Sequence, residues 1–206
     1  MKELRSALLL TFTFIVLTGI AFPLVIWGCG QLLFPFQANG SLKYNASGQL
    51  IGSQIIGQQF TSAKYFHPRP SAAGSGYDAA NSGGTNLGPT SSKLFSGTVN
   101  DPTTNDTDES FNGVEQLAKA YRDENGLSAN DSIPVDAVTR SASGLDPDIS
   151  PRNAFLQASR IGKERNLSPQ KIRSLINAMT ESRFLGIFGD PRVNVLQLNL
   201  SLDTLS

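Results

Sequence analysis

The side chains that could carry chemistry are few. His67 is the only histidine and Cys29 the only cysteine. A structural zinc site draws four ligands, mostly from these two types, so none is expected here. A lone cysteine also rules out an internal disulfide framework. His67 could formally join a Ser-His-Asp set, but no nucleophile elbow of the form G-x-S-x-G accompanies it. In Tyr65-Phe66-His67-Pro68 it reads instead as a packed, hydrogen-bonded turn residue. The carboxylate pairs Asp106/Asp108 and Asp146/Asp148 sit among turn formers, where Asp side chains bond their own backbone. There is no G-x-x-x-x-G-K-[ST] phosphate loop, and Gly74 and Gly76 are isolated loop glycines. Two polar features remain. Arg69 is stiffened by Pro68 and Pro70, and either presents its guanidinium to a partner or closes an internal salt bridge. The run Asn81, Ser82, Gly83, Gly84, with Asn86 beyond it, either shapes a loop or cradles an anion.

These residues must be positioned by the elements around them. The element that dominates is near the start. Ser6 to Leu42 contains no charged residue, and ALLLTFTFIVLTGIAFPLVIWG (7–28) is almost entirely apolar. About 20 residues at 1.5 Å each span a hydrocarbon core of about 30 Å. Thr hydroxyls can bond back to the i−4 carbonyl, and Pro23 predicts a kink or weak point. Trp27 and Phe34 stand where an interfacial aromatic belt would lie. The expectation is one membrane-spanning helix over 7–28, a short cytoplasmic N-terminus (1–6) and an exit segment (29–46). Lys2 and Arg5 precede the helix and only Lys43 follows nearby, so the positive-inside rule puts the rest of the chain outside the cytoplasm. The rival is cleavage after Ile26-Trp27-Gly28 with a lipid anchor on Cys29, giving a periplasmic ligand-binding lipoprotein. Trp27 fits that cleavage box poorly, and the apolar run is long for a signal peptide.

Residues 47–206 are long enough for one domain with a core. Net charge is zero and no basic face stands out, which argues against a nucleic-acid partner. Ser47 to Phe60 reads as a strand or bulged hairpin, with Leu50, Ile51, Ile55, Ile56 and Phe60 feeding the core. Thr61 to Asp108 has little periodicity, yet it carries Tyr65, Phe66, Tyr77 and Phe95, so it reads as an ordered docking loop rather than a disordered one. A helix is expected over about 109–125, with Asp108 as N-cap and Gly126 as stop. A short strand is expected over 133–138. Two helices then open on Ser150-Pro151 and Ser168-Pro169, ending near Asn166 and Arg183. The alternating leucines of VNVLQLNLSL (193–202) predict a final strand. The class is α+β: one N-terminal transmembrane helix, then a small mixed domain with a long ordered loop.

Six phrases occur together: FPFQANGSL (34–42), GSQIIGQQF (52–60), YFHPRPS (65–71), YDAANSGGTNLGP (77–89), VTRSASGLDPDISPRNAFLQ (138–157) and VNVLQLNLSLD (193–203). With them the chain resembles the C subunit of the bacterial Kdp potassium-transporting ATPase, over essentially its whole length. The resemblance implies an inner-membrane accessory subunit that assembles with a potassium-binding pore subunit and a P-type ATPase subunit. It implies a catalytic chaperone that raises the pump subunit's ATP affinity. The chain lacks the DKTG phosphorylation motif, so it is expected to be non-catalytic, with no cofactor of its own and ATP shared with the pump subunit. The nucleotide contact proposed for the family, compared with the signature motif of ABC transporters, would fall on Gln157, near Ser143 and Gly144. The residues themselves leave a second reading for Gln157, a side chain bonded to local backbone. The charge count, which puts Gln157 outside the cytoplasm, conflicts with direct ATP contact. Loop 61–96 would then be the docking surface for the pore subunit, with Tyr65, Phe66, Arg69, Asn81, Gly83, Gly84 and Asn86 as its candidates.

Overall fold

The computed structural model describes residues 2–45, 47–98 and 111–205. The chain falls into two compact units, Met1–Ser53 and Gln54–Ser206. The expected N-cap Asp108 and the pair Asp106/Asp108 lie outside the described residues.

In the first unit, α1 (Lys2–Val16), a π-helical turn (Leu17–Ala21) and α2 (Phe22–Leu33) form one continuous helix, Lys2–Leu33. It is long and apolar enough to cross a membrane, and no side chain of that apolar stretch is buried. Pro23 has no N–H for the carbonyl of Gly19. The turn just before it widens, so that Phe22 N–H donates to the carbonyl of Leu17. A π-turn is one of the recognised ways a helix absorbs such an interruption. Thr13 and Thr18 donate their hydroxyls to the carbonyls of Leu9 and Phe14, at 2.8 and 2.7 Å. A short helix α3 (Pro35–Ala38) leads into a hairpin of β1 (Leu42–Tyr44) and β2 (Leu50–Ser53). The Asn45 side-chain carbonyl accepts from the backbone N–H of Ser47 (3.1 Å) and Gln49 (2.8 Å), which closes its turn.

The second unit is α+β, as its sequence predicts, but several elements differ from expectation, beginning with the hairpin just described. The strand expected over 47–60 is confined to Leu50–Ser53, and its partner comes from 42–44. Leu50, Ile55 and Ile56 are exposed, and only Phe60 of the later residues packs on the core. The strand expected over 133–138 is a 3-10 turn, Val135–Ala137, entered from Pro134. The strand expected over 193–202 is three residues, β5 (Arg192–Asn194), followed by helix α8 (Val195–Asp203). Here Asn194 acts as N-cap, its side-chain oxygen accepting from Gln197 N–H at 3.1 Å. Val195, Leu198, Asn199 and Leu202 are then buried at helical spacing. The leucine alternation is real, but the cap and the neighbouring helices override it.

The remaining helices follow their capping signals. A short α4 (Ser92–Ser96) lies in the long loop, and α5 (Val114–Asn125) starts at Gly113 and stops at Gly126 in the left-handed region. α6 (Pro151–Arg165) and α7 (Pro169–Met179) open with Ser150 and Ser168 accepting from Asn153 and Lys171 N–H. α7 stops four residues before Arg183, because Thr180 and Glu181 turn extended to form β4 (Thr180–Glu181). β3 (Asp148–Ile149), β5 and β4 make an antiparallel sheet with β5 in the middle. Its inner side meets α6, α7 and α8 around Ile149, Ile161, Ile172, Ile176, Val193, Leu198 and Leu202. Each such side chain contributes about 1.5–3 kcal/mol on burial. A second cluster forms around Tyr121, Ala137 and Val138, between α5 and the 3-10 turn.

Candidate functional site

The long loop does not hang free: buried polar side chains tie it to the domain. Phe66 N–H donates to the Asn199 side-chain oxygen (2.8 Å), and the Asn199 amide returns a bond to the Phe66 carbonyl (3.0 Å). One residue on, His67 N–H donates to Gln157 Oε1 (2.7 Å), and Gln157 Nε2 donates to the His67 carbonyl (3.0 Å). The backbone N–H and C=O of two successive residues are thus each closed by a side-chain amide, from α8 at Phe66 and from α6 at His67. This is how irregular backbone is buried without orphaned N–H and C=O groups. Gln157 Nε2 also donates to Asn153 Oδ1 (2.9 Å), and its oxygen accepts from Arg160 (2.9 Å). Both N–H groups and both lone-pair directions of Gln157 are therefore engaged inside the protein, and the residue is 1% exposed.

Arg160 extends the network. Its Nη1 donates to the carbonyls of Ala63 (2.6 Å) and Tyr65 (3.0 Å), and its Nε to Asn125 (3.1 Å). Burial lowers its pKa, against the opposing charge of Glu124 at 3.9 Å. Tyr121 donates to Asn153 at 2.8 Å, and burial raises its phenol well above the ordinary tyrosine range. Asp136 accepts from Ser150 N–H (2.7 Å) and Asn153 Nδ2 (3.0 Å), placing a carboxylate at the α6 N-terminus, where the helix dipole favours it.

His67 stands at the edge of this network. Its Nδ1 is 2.7 Å from Glu124 Oε1, and its Nε2 is 3.0 Å from the Ser62 carbonyl. The hydrogen bond from His67 holds the Glu124 carboxyl below its ordinary value of 4.5, with burial opposing and the charges of His67 and Arg160 assisting. A depressed folded pKa means stability that is present above 4.5 and is lost as pH falls through the folded value. Glu124→Gln is expected to melt below the wild type at pH 7, and the gap is expected to close as pH falls from 4.5. Thermal unfolding of both chains across that range checks this, and a gap independent of pH would refute it.

Ser143 and Gly144 are tied to other parts of the loop. Gly83 N–H and the Ser82 hydroxyl both donate to the Ser143 carbonyl at 2.9 Å. The Ser71 hydroxyl donates to the Gly144 carbonyl at 2.6 Å. Gly144 adopts φ +68, and a Cβ there would lie 2.6 Å from Ala73 N and from the Gly83 carbonyl oxygen. Arg69 closes an internal salt bridge to Asp146 at 2.7 Å and faces the Thr139 carbonyl. Tyr77 donates its hydroxyl to the Arg69 carbonyl; burial, then the Asp146 charge, push its pKa up.

The candidate docking residues accordingly separate by exposure. Phe66 is fully buried in the core. Tyr65 is half-buried under Arg165 (4.7 Å over its ring) and donates to Asp203. Asn81 is exposed and donates to Asp78 at 2.7 Å, which lowers the Asp78 pKa. Gly83 and Gly84 are partly exposed; a Cβ on Gly84 would lie 2.8 Å from the Ala142 carbonyl oxygen, and one on Gly83 would meet nothing. Asn86 is exposed with φ +53, a conformation Asn tolerates better than most residues. Asn153, Arg160 and Asn199 escaped the sequence reading. Asn153 and Arg160 are legible as polar residues at helical spacing beside the apolar face of α6, whereas Asn199 lies in a segment that alternates like a strand. Among the described residues, no three His, Cys, Asp or Glu side chains converge as a metal site.

Among the described residues the chain thus combines one helix long and apolar enough to cross a membrane with an α+β domain whose long loop is tied to its helices. A family model described as "K+-transporting ATPase, c chain" matches residues 4–204. Similar chains include the potassium-transporting ATPase KdpC subunit of Mycobacterium tuberculosis, 51% identical over 204 residues and covering 99% of both chains. Those of Koribacter versatilis and Acidobacterium capsulatum are each 47% identical, covering 98% and 100% of this chain and 94% and 100% of the relative. The chain belongs to the KdpC family and is a subunit of a potassium-transporting ATPase.

Proposed function

We propose that this chain is a non-catalytic accessory subunit that holds a pore subunit and a P-type ATPase subunit together during potassium uptake. The observation that carries this is the locked loop. A loop whose peptides at Phe66 and His67 are bonded by Asn199 and Gln157 is a rigid surface, and rigid surfaces lose little entropy on docking. Within it, the exposed segment around Asn81, Gly83, Gly84 and Asn86 is the docking face; Phe66 and Arg69 support that face from within.

The domain lies outside the cytoplasm in this reading, since Lys2 and Arg5 stand on one side of the helix and Lys43 alone follows it. Any rise in the pump's ATP affinity then travels through membrane helices rather than through Gln157, whose amide is fully engaged at home. Such transmission needs an element with two arrangements that both ends bias. The π-turn at Leu17–Ala21 is the place in this chain's helix where one fits.

One preparation tests the proposal. Cells carry a single thiol at position 90 (Thr90→Cys in a Cys29→Ser background) in the assembled complex. The expected result is labelling by a membrane-impermeant reagent in intact cells, co-purification with two larger membrane subunits, and loss of potassium-stimulated ATP hydrolysis when the chain is omitted. Recovery of the chain alone, with hydrolysis unaffected by its omission, would overturn the accessory role. Labelling only after lysis would reverse the orientation and place the domain on the nucleotide side of the membrane.

A further inference from the structure

Between β4 and β5 the chain makes a small hairpin whose tip is Phe184-Leu185-Gly186-Ile187-Phe188. Its four large apolar side chains are 62–73% exposed, far more than a domain normally leaves on one short turn. Part of the backbone at the tip is bonded within the turn. Phe184 N–H donates to the Phe188 carbonyl (2.9 Å), and Ile187 and Phe188 N–H donate to the Phe184 carbonyl (3.1 and 2.9 Å). Gly186 N–H donates to the Arg183 carbonyl at 3.0 Å. Leu185 and Gly186 both have positive φ, +52 and +74. A tight hairpin turn calls for this at its two central residues, but Asn, Asp or Gly is the usual first one. A leucine held there sets an apolar side chain at the apex against its own conformational preference.

The neck of the hairpin is polar. Arg183 pairs with Asp190 at 2.8 Å, and Arg192 pairs with Glu181 (2.8 Å) and Asp148 (3.1 Å). An apolar tip above a collar of paired charges matches the interfacial layer of a bilayer. Hydrocarbon accepts apolar side chains but gives no partner to a bare N–H or C=O, while headgroups tolerate ion pairs.

We propose that the 184–188 hairpin inserts into the interfacial layer of the bilayer that the Lys2–Leu33 helix crosses, as a second membrane contact of this chain. The tether makes a small apolar tip sufficient. The connection from Leu33 to Gln54 reaches at most about 70 Å when fully extended, so the membrane is present at high effective concentration. The inference rests on the membrane-spanning reading of the helix and not on the pump assignment.

The test uses the full chain in a Cys29→Ser background, with Ile187→Cys carrying an environment-sensitive fluorophore. It is reconstituted in phosphatidylcholine vesicles containing doxyl-labelled lipid, alone and then with the pore and pump subunits. Insertion predicts blue-shifted emission, loss of quenching by aqueous iodide and quenching by doxyl lipid in both preparations. The same label at Gln170, exposed on α7, is expected to stay aqueous. Iodide quenching at Ile187 in both preparations would overturn the proposal. Protection that appears only with the other subunits and without doxyl quenching would also overturn it, and would assign the hairpin to a protein partner. Loss of the chain from the vesicles would count against the membrane-spanning helix itself.

Discussion

Gln157→Leu is expected to lower the melting temperature of the chain by roughly 10 °C, as follows from a loss of about 3 kcal/mol in a domain of this size. The leucine fills most of the space, so the cavity is minor. What it removes is a set of partners. His67 loses the acceptor for its N–H and the donor to its carbonyl, Asn153 loses a donor, and an Arg160 N–H loses its acceptor. Each buried group left unsatisfied costs about 1–3 kcal/mol, and more when the group is charged. Whole-domain stability is only about 5–15 kcal/mol, so the loop over 63–67 is expected to open first. Thermal unfolding, with protease cleavage in that loop as the local readout, measures it. The informative contrary result is a variant that melts normally yet loses the response of the pump to nucleotide. That would make Gln157 a ligand contact rather than a strut.

Gly144→Val carries the second large effect. At φ +68 an L-residue costs about 1–2 kcal/mol, and a β-branched one more. In addition the new Cβ would lie 2.6 Å from two backbone atoms, Ala73 N and the Gly83 oxygen, in segments that cannot swing aside as a side-chain end would. The loss is expected to reach about 4 kcal/mol, and the contacts of Ser143 and Gly144 with Ser71, Ser82 and Gly83 are expected to break. Gly126→Val separates the two causes. Gly126 has nearly the same φ, +64, but open space around it, so only the conformational part should remain. Equal melting temperatures for the two variants would show that the crossing at Gly144 is looser than described. Protease cleavage within 71–87 should rise for Gly144→Val alone.

Both predictions concern the same device: helices α6 and α8, with the turn before β3, hold a loop that has no regular structure of its own. The pH dependence of Glu124 reports on the edge of that device, where His67 meets α5. A docking surface built this way is rigid without being a strand or a helix. It can present Asn81 to Asn86 while Gly83 N–H and the Ser82 hydroxyl stay bonded to the Ser143 carbonyl.

Some of this was legible from the chain alone. The apolar run within the charge-free stretch from Ser6 to Leu42 predicts a helix of membrane length, and Lys2–Leu33 is one helix long and apolar enough to cross a membrane. Ser-Pro at 150–151 and at 168–169 marks two helix starts, because the cap and the fixed φ of proline act within one turn. Gly126 ends α5 for a similarly local reason. The six phrases between residues 34 and 203 carry the family resemblance without reference to the fold.

Other features needed the third dimension. The leucines at 196, 198, 200 and 202 alternate like a strand. They become a helix because Asn194 caps it and because α6 and α7 offer a surface with helical spacing. Phe66 looks like a docking aromatic in sequence; it is a core residue because Asn199, 133 positions away, bonds both its N–H and its carbonyl. Gln157 and His67 are joined across 90 positions. Local signals were readable because capping and hydropathy depend on a few neighbouring residues. The ties of the loop were not, because a buried amide chooses its partner only after packing has excluded water and brought distant backbone within 3 Å.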